Sequence, residues 1–154
     1  MPAFGATTGG SANVIDAFGK QIAAVDKTTV PVLLPSKLPF GGQVPKLYPS
    51  GSATRSSYSL VFAGAPKCGG ANACFLASFE GKRGGKLPGK ANLRLAGGQA
   101  AFYKRVTCGA SCSPATLWFV TGGVLYTWQH NDPPKNAKSV LARLAVQAIA
   151  AGPR

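Results

Sequence analysis

Acidic side chains are almost missing from this sequence. Four Asp and Glu stand against 17 Lys and Arg, for a formal charge of +13. Charged residues make up only 14 % of the chain, well below the usual share in soluble domains, and the deficit is nearly all acid. So few carboxylates leave little from which to build the paired carboxylates of a glycosidase. Asp16 and Asp26 lie on or beside a helical pattern, where they act as caps or surface charges. Histidine occurs once, as His130 in "WQHNDPP". A lone imidazole makes no His-based metal site, and no G-x-S-x-G elbow presents a serine to it. His130 reads as a solvent-facing turn residue. The glycine pairs at 41, 84, 97 and 122 match neither a Walker loop nor a Rossmann fingerprint. No cysteine has an evident activating partner. These absences argue against an enzyme and nominate no metal or cofactor.

Long apolar runs are also missing. None approaches the ~20 residues of a membrane-spanning helix. The opening "MPAFGATTGG" has neither the basic nor the apolar region of a signal peptide. The chain is therefore either cytosolic or a mature form whose signal has been removed, and the cysteines decide between the two. Cys68 and Cys74 bracket "CGGANAC"; Cys108 and Cys112 bracket "CGASC". A thioredoxin-like C-x-x-C is absent, and the spacings suit a four-thiolate zinc site poorly. Two local disulfides, Cys68–Cys74 and Cys108–Cys112, are the expectation, with four reduced thiols as the plain alternative. An even count in close pairs favours an oxidising compartment, hence a secreted, periplasmic or cell-surface protein.

A length of 154 residues suits one domain, expected here over residues 12–154 behind a flexible Gly/Ser/Thr-rich stretch, 1–11. "SANVIDAFGKQIAAVDK" places Val14, Ile15, Phe18 and Ile22 on one helical face, so a helix over about 12–25 with Ser11 as its cap is expected. Pro31, Pro35, Pro39, Pro45 and Pro49 exclude a helix and disfavour a central strand. Residues 30–34 read as an extended edge segment followed by a surface loop. A polyproline ligand for another protein's groove is the alternative, but the apolar neighbours favour packing on the chain's own domain.

Alternation begins at 57. "SYSLVFA", "CFLASFE", "NLRLA" and "AAFYKRVT" read as strands, and "TLWFV-TGG-VLYTWQ" as a hairpin. "KNAKSVLARLAVQAIAAG" carries the apolar stripe Val140, Leu141, Leu144, Ala145, Ala148 and Ile149, with Gly152 as its stop. The expected class is α+β: an antiparallel meander of about five or six strands, packed by the C-terminal helix and by the N-terminal one. "WFVTGGVLYTW" running into that last helix resembles a class of small secreted bacterial domains of unknown function, the DUF4367-like modules. The resemblance covers the last third of the chain and carries no functional residues over.

What the sequence has in excess is positive charge. "EGKRGGKLPGKANLR", residues 80–94, holds five basic side chains, one acid and four glycines. Between two strands it reads as an exposed hairpin connection carrying Lys82, Arg83, Lys86 and Lys90. Arg94 follows on the next strand, and Lys104 and Arg105 on the neighbouring one. These seven are the candidate polyanion-binding residues. Glycine and lysine offer no fixed geometry to base edges, so such a grip is not sequence-specific. Tyr103 and the exposed members of Trp118, Tyr126 and Trp128 are candidates for stacking; a plain role in core and hairpin packing competes with this. The favoured function is a non-catalytic extracytoplasmic binding or structural module on anionic cell-envelope material or an acidic protein surface, with peripheral membrane contact as one form of it. A nucleic-acid-binding protein without sequence specificity is the first alternative. An inhibitor or accessory subunit, docking through the Pro-rich segment and the aromatic hairpin, is the second.

Overall fold

The computed structural model describes residues 9–67 and 74–154. In chain order its elements are β1 (Ser11–Asn13), α1 (Val14–Phe18), α2 (Lys20–Ala24), β2 (Lys37–Pro39), β3 (Tyr48–Thr54) and β4 (Ser57–Ala63). Then come β5 (Phe75–Arg83), β6 (Leu93–Arg94), β7 (Ala100–Lys104), β8 (Thr107–Cys108), β9 (Cys112–Ser113), β10 (Ala115–Thr121), β11 (Val124–His130) and α3 (Ala137–Ala151). The α+β expectation holds, with seven strands in the main antiparallel sheet, ordered β3-β4-β5-β11-β10-β7-β6. Two meandering runs of chain meet where β5 pairs with β11.

Alternation explains which way the sheet faces. Tyr58, Leu60 and Phe62 on β4 are buried, as are Val124, Tyr126, Trp128 and His130 on β11. Successive side chains point to opposite faces, so these residues form one apolar face. The β10–β11 turn is Gly122–Gly123, with φ of 59° and 76°. Both central residues lie in the left-handed region, as a tight hairpin with the strand twist requires. On the apolar face α3 lies against β10, burying Val140, Leu141, Leu144, Ala145 and Ala148. At the other end of the sheet Phe18 stacks on Phe62 with ring centroids 3.9 Å apart.

The N-terminal helix differs from its expectation. The helix expected over 12–25 starts at Val14 and breaks at Gly19, whose φ of 51° leaves the helical region. Its cap is Asn13, which accepts a hydrogen bond from the Asp16 backbone N–H at 3.3 Å, not Ser11. Ser11 instead opens β1, which pairs with β2. Thus Gly10 and Ser11, in the stretch expected to be flexible, are paired with the Pro39–Gly42 region, while 1–8 lie outside the described residues.

The Pro-rich stretch is extended over 30–34, as expected, but it is not an edge strand. Val30, Val32, Leu33 and Leu34 are buried, in an extended segment that joins no sheet. Tyrosine hydroxyls supply the hydrogen bonds a neighbouring strand would give. The Leu33 N–H donates to Tyr58 Oη at 3.1 Å, and Tyr126 Oη donates to the Pro31 carbonyl at 2.7 Å. Farther on, β3 was not expected from "YPSGSAT". It is an edge strand paired only with β4, the place where a proline such as Pro49 is tolerated.

The basic stretch is not a hairpin connection. β5 runs on to Arg83, and β11, β10 and β7 stand between β5 and β6. β11 takes the edge of β5 in a seven-residue register, whereas β6 offers two residues. The longer pairing wins, and residues 84–92 must cross three strands.

Candidate polyanion-binding face

The second face of the sheet is built from the polar positions of the same alternating strands. Ser52, Ser59, Glu80, Thr127, Trp118 and Phe102 are successive cross-strand partners over six strands. At the usual spacing between strands the row is about 24 Å long. Its first part is hydroxyl-rich and its last part aromatic. The Trp118 and Phe102 rings lie 5.6 Å apart at 47°, and both are half-exposed.

A groove of about 450 Å³ opens over the polar part, lined among others by Ser52, Ser57, Ser59, Glu80, Lys82 and Thr127. Ser59 Oγ donates to Glu80 Oε2 at 3.4 Å. Partial burial pushes the Glu80 carboxyl above its ordinary value, and the Ser59 hydrogen bond opposes this. Glu80 is the one acid of the groove.

The cations divide among three places. Lys82 stands on the open face, paired in register with Ser57 and Leu125, and Lys104 stands on it opposite Thr116. Lys86 and Lys90 are exposed on the crossover. That crossover leans on the open face: a Cβ at Gly85 would meet the Leu125 side chain at 2.8 Å, and one at Gly89 the Phe102 ring at 3.7 Å. Arg94 emerges on the same side at the sheet edge, its guanidinium donating to the Gly98 carbonyl at 2.6 Å. Arg83 belongs to the opposite face and donates to the Thr29 carbonyl at 2.7 Å. Arg105 lies elsewhere, lining a groove of about 470 Å³ with Tyr103, Lys135 and Lys138 beside the start of α3. The structure therefore gathers Lys82, Lys86, Lys90, Arg94 and Lys104 on one side and separates Arg83 and Arg105 from them.

Of the stacking candidates, only Trp118 reaches the open face. Tyr126 and Trp128 are buried in the core, with Trp128 edge-on to Phe79 and Phe119. Burial pushes the Tyr126 phenol up to about 12, with Arg83 pulling it down. Tyr103 is half-buried and lies in the groove by α3, its phenol raised by burial. Within the Pro-rich segment and the aromatic hairpin, Val30, Val32, Leu33, Leu34, Tyr126 and Trp128 are taken up by the core. The residues not foreseen are Glu80, Phe102 and the hydroxyl row. The polar positions of "SYSLVFA" carried that signal, but Ser52 and Thr54 sit on the unforeseen β3.

His130 is not a solvent-facing turn residue. It is 1 % exposed, and Nε2–H donates to the Pro39 carbonyl at 2.7 Å while Nδ1 accepts from the Asp132 N–H at 3.2 Å. Both ring nitrogens are used in tying β11 to the β2 end. Burial pushes its pKa down, against the Pro39 hydrogen bond and the Asp132 charge. Cys108 and Cys112 form a disulfide across the β8–β9 arm. The Cys68–Cys74 pair includes Cys68, which lies outside the described residues. Among the described residues no three His, Cys, Asp or Glu side chains gather as a metal site.

No family model, no curated protein and no solved structure matches the chain. The functional reading rests on the face itself.

Proposed function

We propose that the protein is a non-catalytic, extracytoplasmic binding module that attaches to anionic cell-envelope material through the open face of its sheet. The observation that carries this reading is the convergence of Lys82, Lys104 and the crossover lysines Lys86 and Lys90 on the face of the sheet opposite α3. A polyanion lying there releases counterions from each contact, so its binding weakens as salt rises. The Cys108–Cys112 disulfide supports a place outside the cytosol. The non-catalytic part is supported by the buried and fully engaged state of the single histidine.

The test is binding to heparin, duplex DNA and anionic liposomes across a salt series. The K82A/K86A/K90A/K104A variant runs beside a control variant, K20A/K27A/K135A/K138A, which removes equal charge away from this face. The expected result is salt-sensitive binding that is lost in the first variant and largely kept in the second. Equal loss in both would show that net charge alone attracts the ligand. Preference for DNA over heparin at equal charge would favour nucleic acid.

A further inference from the structure

The open face is more than a positive surface, because its groove holds the one carboxylate of the region. A carboxylate facing a phosphate backbone repels it. A carboxylate among serine and threonine hydroxyls is the natural acceptor for sugar hydroxyls, and the surrounding hydroxyls both donate and accept. The same row ends in Trp118 and Phe102, whose π-faces carry partial negative charge and suit the C–H face of a pyranose. A few placed polar groups fix a ligand's orientation, and aromatic contact adds area. Lys82 and Lys104 lie on the same face, a row to either side. Charge complementarity therefore calls for a ligand that is anionic as a whole yet presents neutral hydroxyl-bearing rings to Glu80.

We infer that the open face binds an anionic polysaccharide, a uronate-type chain. One sugar ring stacks on Trp118, the adjoining ring gives its hydroxyls to Glu80, Ser59 and Thr127, and the carboxylates of the chain meet Lys82 and Lys104. This deepens the polyanion reading above and rests on it. A row of about 24 Å accommodates a short oligosaccharide in extended form.

The experiment titrates the whole chain with polygalacturonate oligosaccharides, with poly(dT) of matched charge and with neutral dextran. Intrinsic tryptophan fluorescence and calorimetry are the readouts. Trp118 is half-exposed and Trp128 fully buried, so a ligand on this face changes the emission of Trp118 alone. The expected result is saturable uronate binding with an emission change that Trp118→Phe alters. Trp118→Ala weakens it about tenfold, the scale of one lost stacking contact. Thr127→Val, which keeps the side-chain shape, weakens it severalfold and guards against a folding defect in the tryptophan variant. Glu80→Gln discriminates by sign. It weakens uronate binding if the carboxylate accepts sugar hydroxyls, and strengthens it if the face recognises charge alone. Uronate binding that survives Trp118→Ala and Thr127→Val, or rises in Glu80→Gln, overturns the inference while leaving the polyanion reading intact. Tighter binding of poly(dT) with the same emission change overturns it in favour of single-stranded nucleic acid. Uronate binding unchanged in K82A/K86A/K90A/K104A overturns the polyanion reading itself. Dextran binding as tight as uronate binding overturns the anionic part of the inference.

Discussion

At Tyr58 one hydroxyl stands in for a missing strand. It accepts from the Leu33 N–H at 3.1 Å and donates to the Leu33 carbonyl at 3.4 Å, on a segment that no sheet includes. Burial raises its phenol far above the ordinary value, against the Leu33 hydrogen bond, so it is neutral at every working pH. Tyr58→Phe leaves a buried N–H without a partner and is expected to cost about 1–3 kcal/mol, read from urea midpoints at unchanged slope. His130 is the second residue with a large effect. Its pKa is lowered on folding, so the unfolded chain binds the proton more tightly. Its contribution is whole above the ordinary value of 6.5 and is lost as the pH falls below it toward the folded value. Stability should fall as the pH drops below about 6.5, and His130→Leu should flatten that part of the profile.

β5 shows how an element can be right in outline and hard to place. Its alternation was legible in "CFLASFE", yet the extension through Gly81 to Arg83 was not. Gly81 lies where a side chain would collide: a Cβ there would meet the Tyr58 ring at 2.5 Å and the Tyr126 ring at 3.2 Å. The two tyrosines that serve residues 31–33 thus require a glycine between them. Gly81→Ala is expected to destabilise by about 1–3 kcal/mol through overpacking, despite the better strand propensity of alanine, and thermal unfolding will show it. The β10–β11 hairpin was legible because a glycine pair between alternating runs specifies a tight turn. β3 was not, because "YPSGSAT" lacks the branched and aromatic residues of a strand. It is held by its neighbour β4 and not by its own propensity.

For the molecule as a whole, a formal charge of +13 repels itself in the folded state more than in the expanded one. Adding salt from about 0.01 M to 0.15 M shortens the screening length from ~30 to ~8 Å, so the melting temperature should rise over that range. A flat or falling profile would mean that the cations are already compensated locally. Binding of a polyanion to the open face should fall over the same range. The two opposite responses to one variable separate self-repulsion from recognition.

The sequence by itself determined the α+β class, the alternating strands, the Gly122–Gly123 turn, the buried stripe of α3 and the excess of positive charge. These follow from local chemistry, namely periodicity, turn conformation and composition. Tertiary structure alone decided that β11 and not β6 lies beside β5. It alone turned His130 inward, and it sent Arg83 to the opposite face from Lys82. Each of these depends on competition among distant partners for one strand edge or one place in the core. The candidate site was legible as a set of lysines but not as a face. The neighbours that give those lysines a carboxylate, a hydroxyl row and an aromatic pair come from six strands, brought into one row only by the register of the sheet.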